Sequence, residues 1–300
     1  MLTQELLTVR GRLQHNASLA EYNSWRVGGP ADILYCPADI DDISHFLKQL
    51  PQTIPLLWLG LGSNMLIRDG GVEGAVIVTQ GVLNGISQLS PEHVRAEAGV
   101  SCAQIARYTA RLGLRGLEFM AGIPGTVGGA LFMNAGCYGG ETWQYVSEVE
   151  TMNRFGERQI RPARDYQISY RHVSGPANEW FVAGHFKLQP GERTQALNDI
   201  RELLEKRNAA QPTGLPNCGS TFRNLPHHSA GQLIDSSGLK GLRVGGAYVS
   251  EKHANFLIND GNATAADLET LIQTIITKVE QHHGVLLHPE VCIIGKPSAR

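Results

Sequence analysis

The segment GIPGTVGGALFMNAGCYGGE, residues 122–141, places seven glycines in twenty positions, and Glu141 is its only charge. Glycine gives up more backbone freedom on folding than any other residue. Each one inside a helix or strand costs about 0.5–1 kcal/mol relative to alanine. A fold that keeps such a run must bring backbone closer to something than a Cβ permits. A second, shorter run, GLGSN at 60–64, follows the apolar, strand-like PLLWLG at 55–60.

The familiar nucleotide motifs do not account for these runs. A Walker loop needs Gly-Lys-Ser or Gly-Lys-Thr, and the sequence contains neither. The dinucleotide fingerprint needs G-x-G-x-x-G between a strand and a helix, and GLGSNM has Met65 at the last glycine position. Two readings remain. The runs are tight structural turns, or their N–H groups crowd around a phosphate-bearing ligand with Ser63, Asn64 and Thr126 as neutral donors. The second reading suits loops so poor in Lys and Arg.

Composition narrows the partners. The 300 residues correspond to two or three domains, 42% apolar and 18% charged, as in globular proteins. A net charge of −2 with interspersed signs offers no nucleic-acid surface and no polybasic membrane patch. Residues 1–16 carry Glu5 and no long apolar core, so no signal peptide is expected. No apolar run approaches the ~20 residues of a membrane helix. Cys36, Cys102, Cys137, Cys218 and Cys292 are widely spaced with no C-x-x-C, which predicts reduced thiols in a cytosolic protein rather than disulfides or a zinc site. EQHHGVLLHPE (280–290) invites a metal reading, but it lacks H-E-x-x-H and its His282 and His283 are adjacent, so no metal is expected.

Periodicity outlines three regions. Ile43, Phe46, Leu47 and Leu50 predict a helix over 41–50, and 55–60 and 75–79 read as buried strands of a small α/β unit. Ser101 and Gln104 predict a capping box for a helix that Gly113 ends. VSEVETMN, QISYR and WFVAGHFKL read as strands of a largely antiparallel sheet. A helix over 193–212, stopped by Pro212, leads to a third region. There Thr264 and Asp267 box a long helix with a buried stripe from Leu268 to Val279, including Ile276, ended by Gly284.

Longer strings carry a family resemblance. NSWRVGGPAD (23–32), LGLGSNMLIRDGG (59–71) and GLEFMAGIPGTVGGALFMNAGCYGGE (116–141) resemble the UDP-N-acetylenolpyruvoylglucosamine reductases, flavoenzymes of peptidoglycan synthesis. So do ISYR (168–171), PNCGSTFRN (216–224), GQLIDSSGLKGLRVGGAYVSEKHANFLIN (231–259) and HPEVCIIG (288–295), in the family's order along nearly the whole chain. The resemblance implies an α+β protein: a two-part FAD-binding region of the vanillyl-alcohol-oxidase-like (PCMH-type) fold plus a C-terminal α/β substrate-binding domain. Its implied divisions are FAD-binding subdomains at 1–80 and 81–207 and a substrate domain at 208–285, with 286–300 packing back on the first subdomain. Non-covalent FAD would be held by Arg26, by Gly60, Gly62, Ser63 and Asn64, and by Ala121, Gly122, Ile123, Pro124, Gly125 and Thr126. Gly128, Gly129 and Asn134 complete the implied cofactor set.

The same resemblance marks Arg171, Ser220 and Glu290 as catalytic. By themselves, Arg171 reads as a solvated strand-edge residue and Ser220 as an ordinary turn serine. Glu290, a lone acid in the apolar LLHPEVCII, is costly to bury unless paired or protonated. In the implied reaction NADPH reduces the flavin and leaves, and UDP-N-acetylglucosamine enolpyruvate takes its place. Hydride from flavin N5 to C3 builds an enolate; the Arg171 fork holds its carboxylate, a protonated Glu290 donates to it, and Ser220 protonates C2, giving UDP-N-acetylmuramate. Arg171 would oppose the upward shift that burial gives Glu290, and Cys218 is a rival proton donor. Tyr170, Asn224, His253 and Asn255 are the implied substrate contacts, with Lys252 available. The chain matches the short form, without the subdomain that supplies a capping tyrosine, and Ala210 falls near the longer form's substrate lysine. A cytoplasmic monomer is implied. The rivals are an FAD oxidase of the same fold and a non-catalytic flavin or nucleotide-sugar binding module, neither of which needs Ser220 with Glu290.

Overall fold

A computed structural model describes residues 8–298, so Glu5, on which the signal-peptide reading rests, lies outside the described residues. The chain divides into two units, one gathering residues 8–15, 33–60 and 74–204, the other 16–32, 61–73 and 205–298.

The first unit begins with a four-stranded sheet built from β1 (Arg12–Ser18), β2 (Pro30–Cys36), β3 (Leu56–Leu59) and β4 (Val72–Val78), in the order β1-β2-β4-β3 with β3 parallel to β4. Helix α1 (Ile40–Gln49) starts where Asp39 accepts the Asp42 N–H, and its Ile43, Phe46 and Leu47 join Ile33, Tyr35, Ala75 and Ile77 in one apolar core. This is the α/β unit that the spacing predicts.

A five-stranded antiparallel sheet follows. Its strands are β5 (Ile86–Ser90), β6 (His93–Glu97), β7 (Val146–Asn153), β8 (Arg158–Pro162) and, after a hairpin, Glu179–Lys187, called β11 below. Their order is β8-β7-β11-β6-β5. Helices α2 (Cys102–Arg111) and α3 (Val127–Met133) contribute to the core beside it through Ile105, Ala106, Ala130 and Leu131. Ser101 caps α2 by accepting the Gln104 N–H at 3.2 Å, but the Gln104 side chain makes no return bond, so half of the expected box forms. Gly113 follows the cap at φ 71.

QISYR departs from expectation. It is not a strand of the main sheet but one arm of a separate hairpin, β9 (Gln167–Ser169) with β10 (His172–Ser174), whose register pairs Ser169 with His172. Tyr170 and Arg171 form the two-residue turn, with Arg171 left-handed at φ 53. Helix α4 (Arg193–Ala210) then runs out of the unit.

One face of the large sheet holds a dense ionic cluster. Arg95 donates to both oxygens of Glu150 (2.5 and 2.9 Å), and His185 Nε2 lies 2.9 Å from Glu150 Oε1. The Arg95 bond first, then His185, holds the Glu150 carboxyl far below its ordinary value of 4.5, against the opposing effect of burial. A depressed carboxyl contributes stability that is present above the unfolded value and lost as pH falls through the folded one. Replacing Glu150 by Gln leaves Arg95 with Glu97 alone, 3.3 Å away, and breaking a buried pair costs about 3 kcal/mol. We therefore expect Glu150→Gln to lower the urea midpoint strongly at pH 7, with the gap to wild type closing on acidification below pH 4.5. Equal midpoints at pH 7 would refute a stabilising role for the cluster.

In the second unit, α5 (Ala230–Ser236) and α6 (Ala265–His283) share a core with a three-stranded antiparallel sheet, β12 (Arg243–Val244), β13 (Ala247–Val249) and β14 (Leu257–Asn259). The Thr264–Asp267 box forms in both directions and Gly284 ends α6 at φ 66. Leu268, Leu271, Ile272, Ile275 and Val279 are buried, with Ile276 at the margin. Segments distant in sequence complete the unit. Trp25 is fully buried with its Nε1 donating to Leu257 O (2.8 Å), and Asp69 accepts the N–H groups of Ala265 and Ala266 at the start of α6. Met65–Ile67 pairs in parallel with Cys292–Ile294. Among the described residues no helix is long and apolar enough to cross a membrane.

Candidate functional site

In the first unit the two glycine runs touch. A Cβ on Gly60 would overlap Thr126 Oγ1, so that position must stay bare. Thr126 closes the 121–126 loop and caps α3. The loop is laced to residues 98–102: Cys102 N–H donates to Gly125 O (2.9 Å), Val127 N–H to Val100 O (2.8 Å) and Gly128 N–H to Ala98 O (2.9 Å). Gly128 thus serves packing, since its amide is spent and a Cβ would lie 2.9 Å from that of Ala98. Ala121 and Gly122 are buried, Gly122 beneath Leu203 and Cys137, while Ile123, Pro124 and Gly129 reach the surface.

The far end of the same run aims Arg171. Asn134 ends α3 at φ 43, and its buried side chain donates to Glu141 Oε2 (3.0 Å) and Ser169 O (3.2 Å) and accepts from Trp143 N–H. Arg171 donates to Asn134 O (3.3 Å) and Gly136 O (2.6 Å), lies 4.0 Å from Glu141 Oε1, and covers the ring of the exposed Tyr170. A bulky residue at positive φ stores about 1 kcal/mol or more of strain, which those carbonyls hold in place. Asn134 is therefore a brace for the hairpin as built here, and Glu141 is a neighbour that sequence reasoning did not single out. Its one signal was being the lone charge in the run.

In the second unit Gly62 is buried at φ 64, where a Cβ would strike Tyr22 O. Asn64 Nδ2 donates to Glu290 O (3.1 Å), and Asn64 O accepts Cys292 N–H (2.9 Å). Arg26 is exposed in a left-handed turn at φ 58. The Cys218 thiol donates to the carbonyls of Gly62 and Met65, and burial pushes it up to about 12. Both bonds tie it to carbonyls of the neighbouring loop, so its proton is directed into the backbone.

The segments that carry Ser220 and Glu290 run side by side here. Phe222 bridges Pro289 in antiparallel fashion, and Glu290 N–H donates to Thr221 O (2.8 Å), one residue from Ser220. Asn255 fixes this ribbon: its buried amide accepts Phe222 N–H and donates to Phe222 O, both at 2.9 Å. Both ends are spent on backbone, so Asn255 works as a brace. Asn224 Oδ1 caps α5 by accepting Ala230 N–H (3.0 Å). His253 packs edge-on against Phe256, and burial holds its imidazole below the ordinary 6.5. Lys252 Nζ donates to Asn208 O (2.5 Å). His283 Nε2 lies 3.0 Å from Ser236 Oγ, and among the described residues no three metal-ligating side chains gather.

Comparison with known proteins settles the family. A family model described as the C-terminal domain of UDP-N-acetylenolpyruvoylglucosamine reductase matches residues 211–294, and one described as an FAD binding domain matches 31–160. The chain is 56% identical over 287 residues to UDP-N-acetylenolpyruvoylglucosamine reductase of Legionella pneumophila (strain Corby), covering 95% of this chain and 93% of that one. It belongs to the UDP-N-acetylenolpyruvoylglucosamine reductase family. The relative from Alkalilimnicola ehrlichii is 52% identical, covering 99% of each chain. The crystal structure of the reductase from Thermus caldophilus superposes with a TM-score of 0.79 at 31% identity, covering 95% of this chain and 99% of that one. The architecture is accordingly α+β, an FAD-binding domain with the family's C-terminal domain.

The residues present fit FAD. Among the described residues the N–H groups of Gly62, Ser63, Gly125 and Thr126 donate to no protein acceptor, and Gly62 and Thr126 are buried. Buried amides are nearly always paired, so the bare ones, in each unit taken by itself, suit phosphate oxygens.

Proposed function

We infer that this chain is a reductase that converts UDP-N-acetylglucosamine enolpyruvate to UDP-N-acetylmuramate, using FAD and NADPH, in the cytoplasmic supply of peptidoglycan precursors for cell-wall growth and division. Supporting it above all is the ribbon that joins the segments of Ser220 and Glu290 within a chain of this family, a pair that neither an oxidase nor a binding module requires. FAD, when bound, relays to the substrate the hydride that NADPH supplies.

The amides of Gly62 and Ser63, and those of Gly125 and Thr126, would bind phosphate oxygens of the cofactor, with Gly60 bare where Thr126 packs against it. Arg171 grips the substrate carboxylate, whose negative charge grows as hydride arrives at C3, and a permanently charged planar fork suits that task. Protonated Glu290 donates to the same developing enolate. Ser220 gives its hydroxyl proton to C2 and recovers one from water. His253, Tyr170 and Asn224 line the approach of the sugar diphosphate, and Asn255 braces the Ser220 loop. In this reading 1–80 and 81–207 are the FAD-binding subdomains, 208–285 closes over substrate, 286–300 packs back on the first, and the enzyme works as a monomer.

The test is anaerobic. The purified protein carries a flavin spectrum, NADPH bleaches it, and UDP-N-acetylglucosamine enolpyruvate restores the colour without oxygen. Restoration by air alone, or no flavin at all, would sink the reading.

A further inference from the structure

Among the described residues five buried side-chain polar atoms lack a hydrogen-bond partner, and two of them, Thr221 Oγ1 and Arg223 Nε, lie two residues apart in the bridged segment that follows Ser220. Thr221 is fully buried. Each such atom costs desolvation energy that a native site recovers from some partner. The register tells which way they face. With Phe222 opposite Pro289, and with Arg223 N–H donating to His288 O (3.0 Å) and Glu290 N–H to Thr221 O, Thr221 stands across from Glu290 and Arg223 across from His288. Alternation puts these four side chains on one face of the ribbon. Phe222, Leu287 and Val291 occupy the other face, inside the apolar core. Cys292, next in the alternation after Glu290, has its thiol pushed up by burial and drawn partly back by the Arg223 charge, which agrees with Arg223 lying on this face.

Chemistry then limits the missing partner. Arg223 Nε–H can only donate, its guanidinium is permanently charged, and Arg223 makes no ion pair among the described residues. The Thr221 hydroxyl can donate beside it. Two inward donors, one cationic, want an acceptor carrying negative charge. We propose that Thr221 Oγ1 and Arg223 Nε form an oxyanion subsite on the face of this ribbon that carries Glu290, taking a carboxylate or diphosphate oxygen of the ligand. This rests on the reductase reading for the identity of that ligand and adds two binding residues to it. Thr221 also links the subsite to Glu290, because its carbonyl already holds the Glu290 N–H.

The experiment measures equilibrium binding to oxidised, flavin-loaded enzyme by the change in flavin absorbance, with no turnover. The two probes are UDP-N-acetylglucosamine, which has the diphosphate and no carboxylate, and its enolpyruvyl ether, which has both. Thr221→Val keeps the shape and removes the hydroxyl; Arg223→Lys keeps the charge and removes Nε. Each should raise Kd about tenfold, the lower end for a lost bond to a charged group. The double variant should fall well short of the hundredfold product, since both donors share one oxygen group. Equal weakening of both probes assigns the diphosphate, and weakening of the ether alone assigns the carboxylate. Thr221→Ser should restore wild-type binding. Unchanged Kd for both probes in folded, flavin-loaded variants means that the two atoms hold only water and overturns the subsite; so does a Thr221→Ser enzyme as weak as Thr221→Val. Because no turnover is read, failure here leaves the reductase reading standing. An enzyme inert to the ether in the anaerobic test would fail that reading instead.

Discussion

Ser220→Ala enzyme is expected to be bleached by NADPH and then to return to the oxidised state roughly 10³-fold more slowly than wild type when the enolpyruvyl substrate is added, the middle of the range for losing a positioned general acid. The separation of the two half-reactions is the point. Protonation of C2 belongs to the second half alone, so stopped-flow traces of flavin reduction and reoxidation isolate it. Ser220 is half-buried in a loop whose neighbours are pinned by Asn255 and by the 288–290 segment. Removing one hydroxyl leaves that frame in place, and a slow variant therefore reports chemistry rather than collapse. Cys218 offers no bypass, since its buried thiol is tied to two carbonyls. Reoxidation within tenfold of wild type would remove Ser220 as the proton donor.

Arg171→Met should slow reoxidation by about 10²–10³-fold, the usual loss when one preorganised stabiliser of developing charge is removed. Arg171→Lys should recover little, because a single ammonium cannot reproduce the two-pronged grip. The structure makes a second, independent statement about this residue. Its backbone is left-handed, and its guanidinium is braced by the carbonyls of Asn134 and Gly136. Arg171→Gly would relax the backbone, so a protein at least as stable as wild type yet equally slow is expected. Thermal melts and stopped-flow reoxidation on the same samples check both halves. Near-normal reoxidation in Arg171→Met would exclude it from the reaction.

Local signals were legible wherever the determining groups lie within a turn of each other. The α6 box, its Gly284 stop and the α1 stripe all appear where spacing predicts them. Half of the α2 box and the strand over QISYR did not. In the second case alternation correctly marks extended chain, but nothing in five residues shows that they pair with 172–174 rather than with the main sheet.

The site divides along the same line. The sequence by itself determined that two glycine runs keep backbone bare, and that Ser220 and Glu290 belong to the family's motifs. Only the tertiary structure decided how each polar group is spent. Asn255 faces Phe222 from 33 positions away and Asp69 caps a helix nearly two hundred residues later. It also turned part of the glycine run from a cradle into the brace of Arg171. A hydrogen bond is satisfied by whichever partner the folded path brings within about 3 Å, and that path is set by the packing of whole cores, which no local pattern contains.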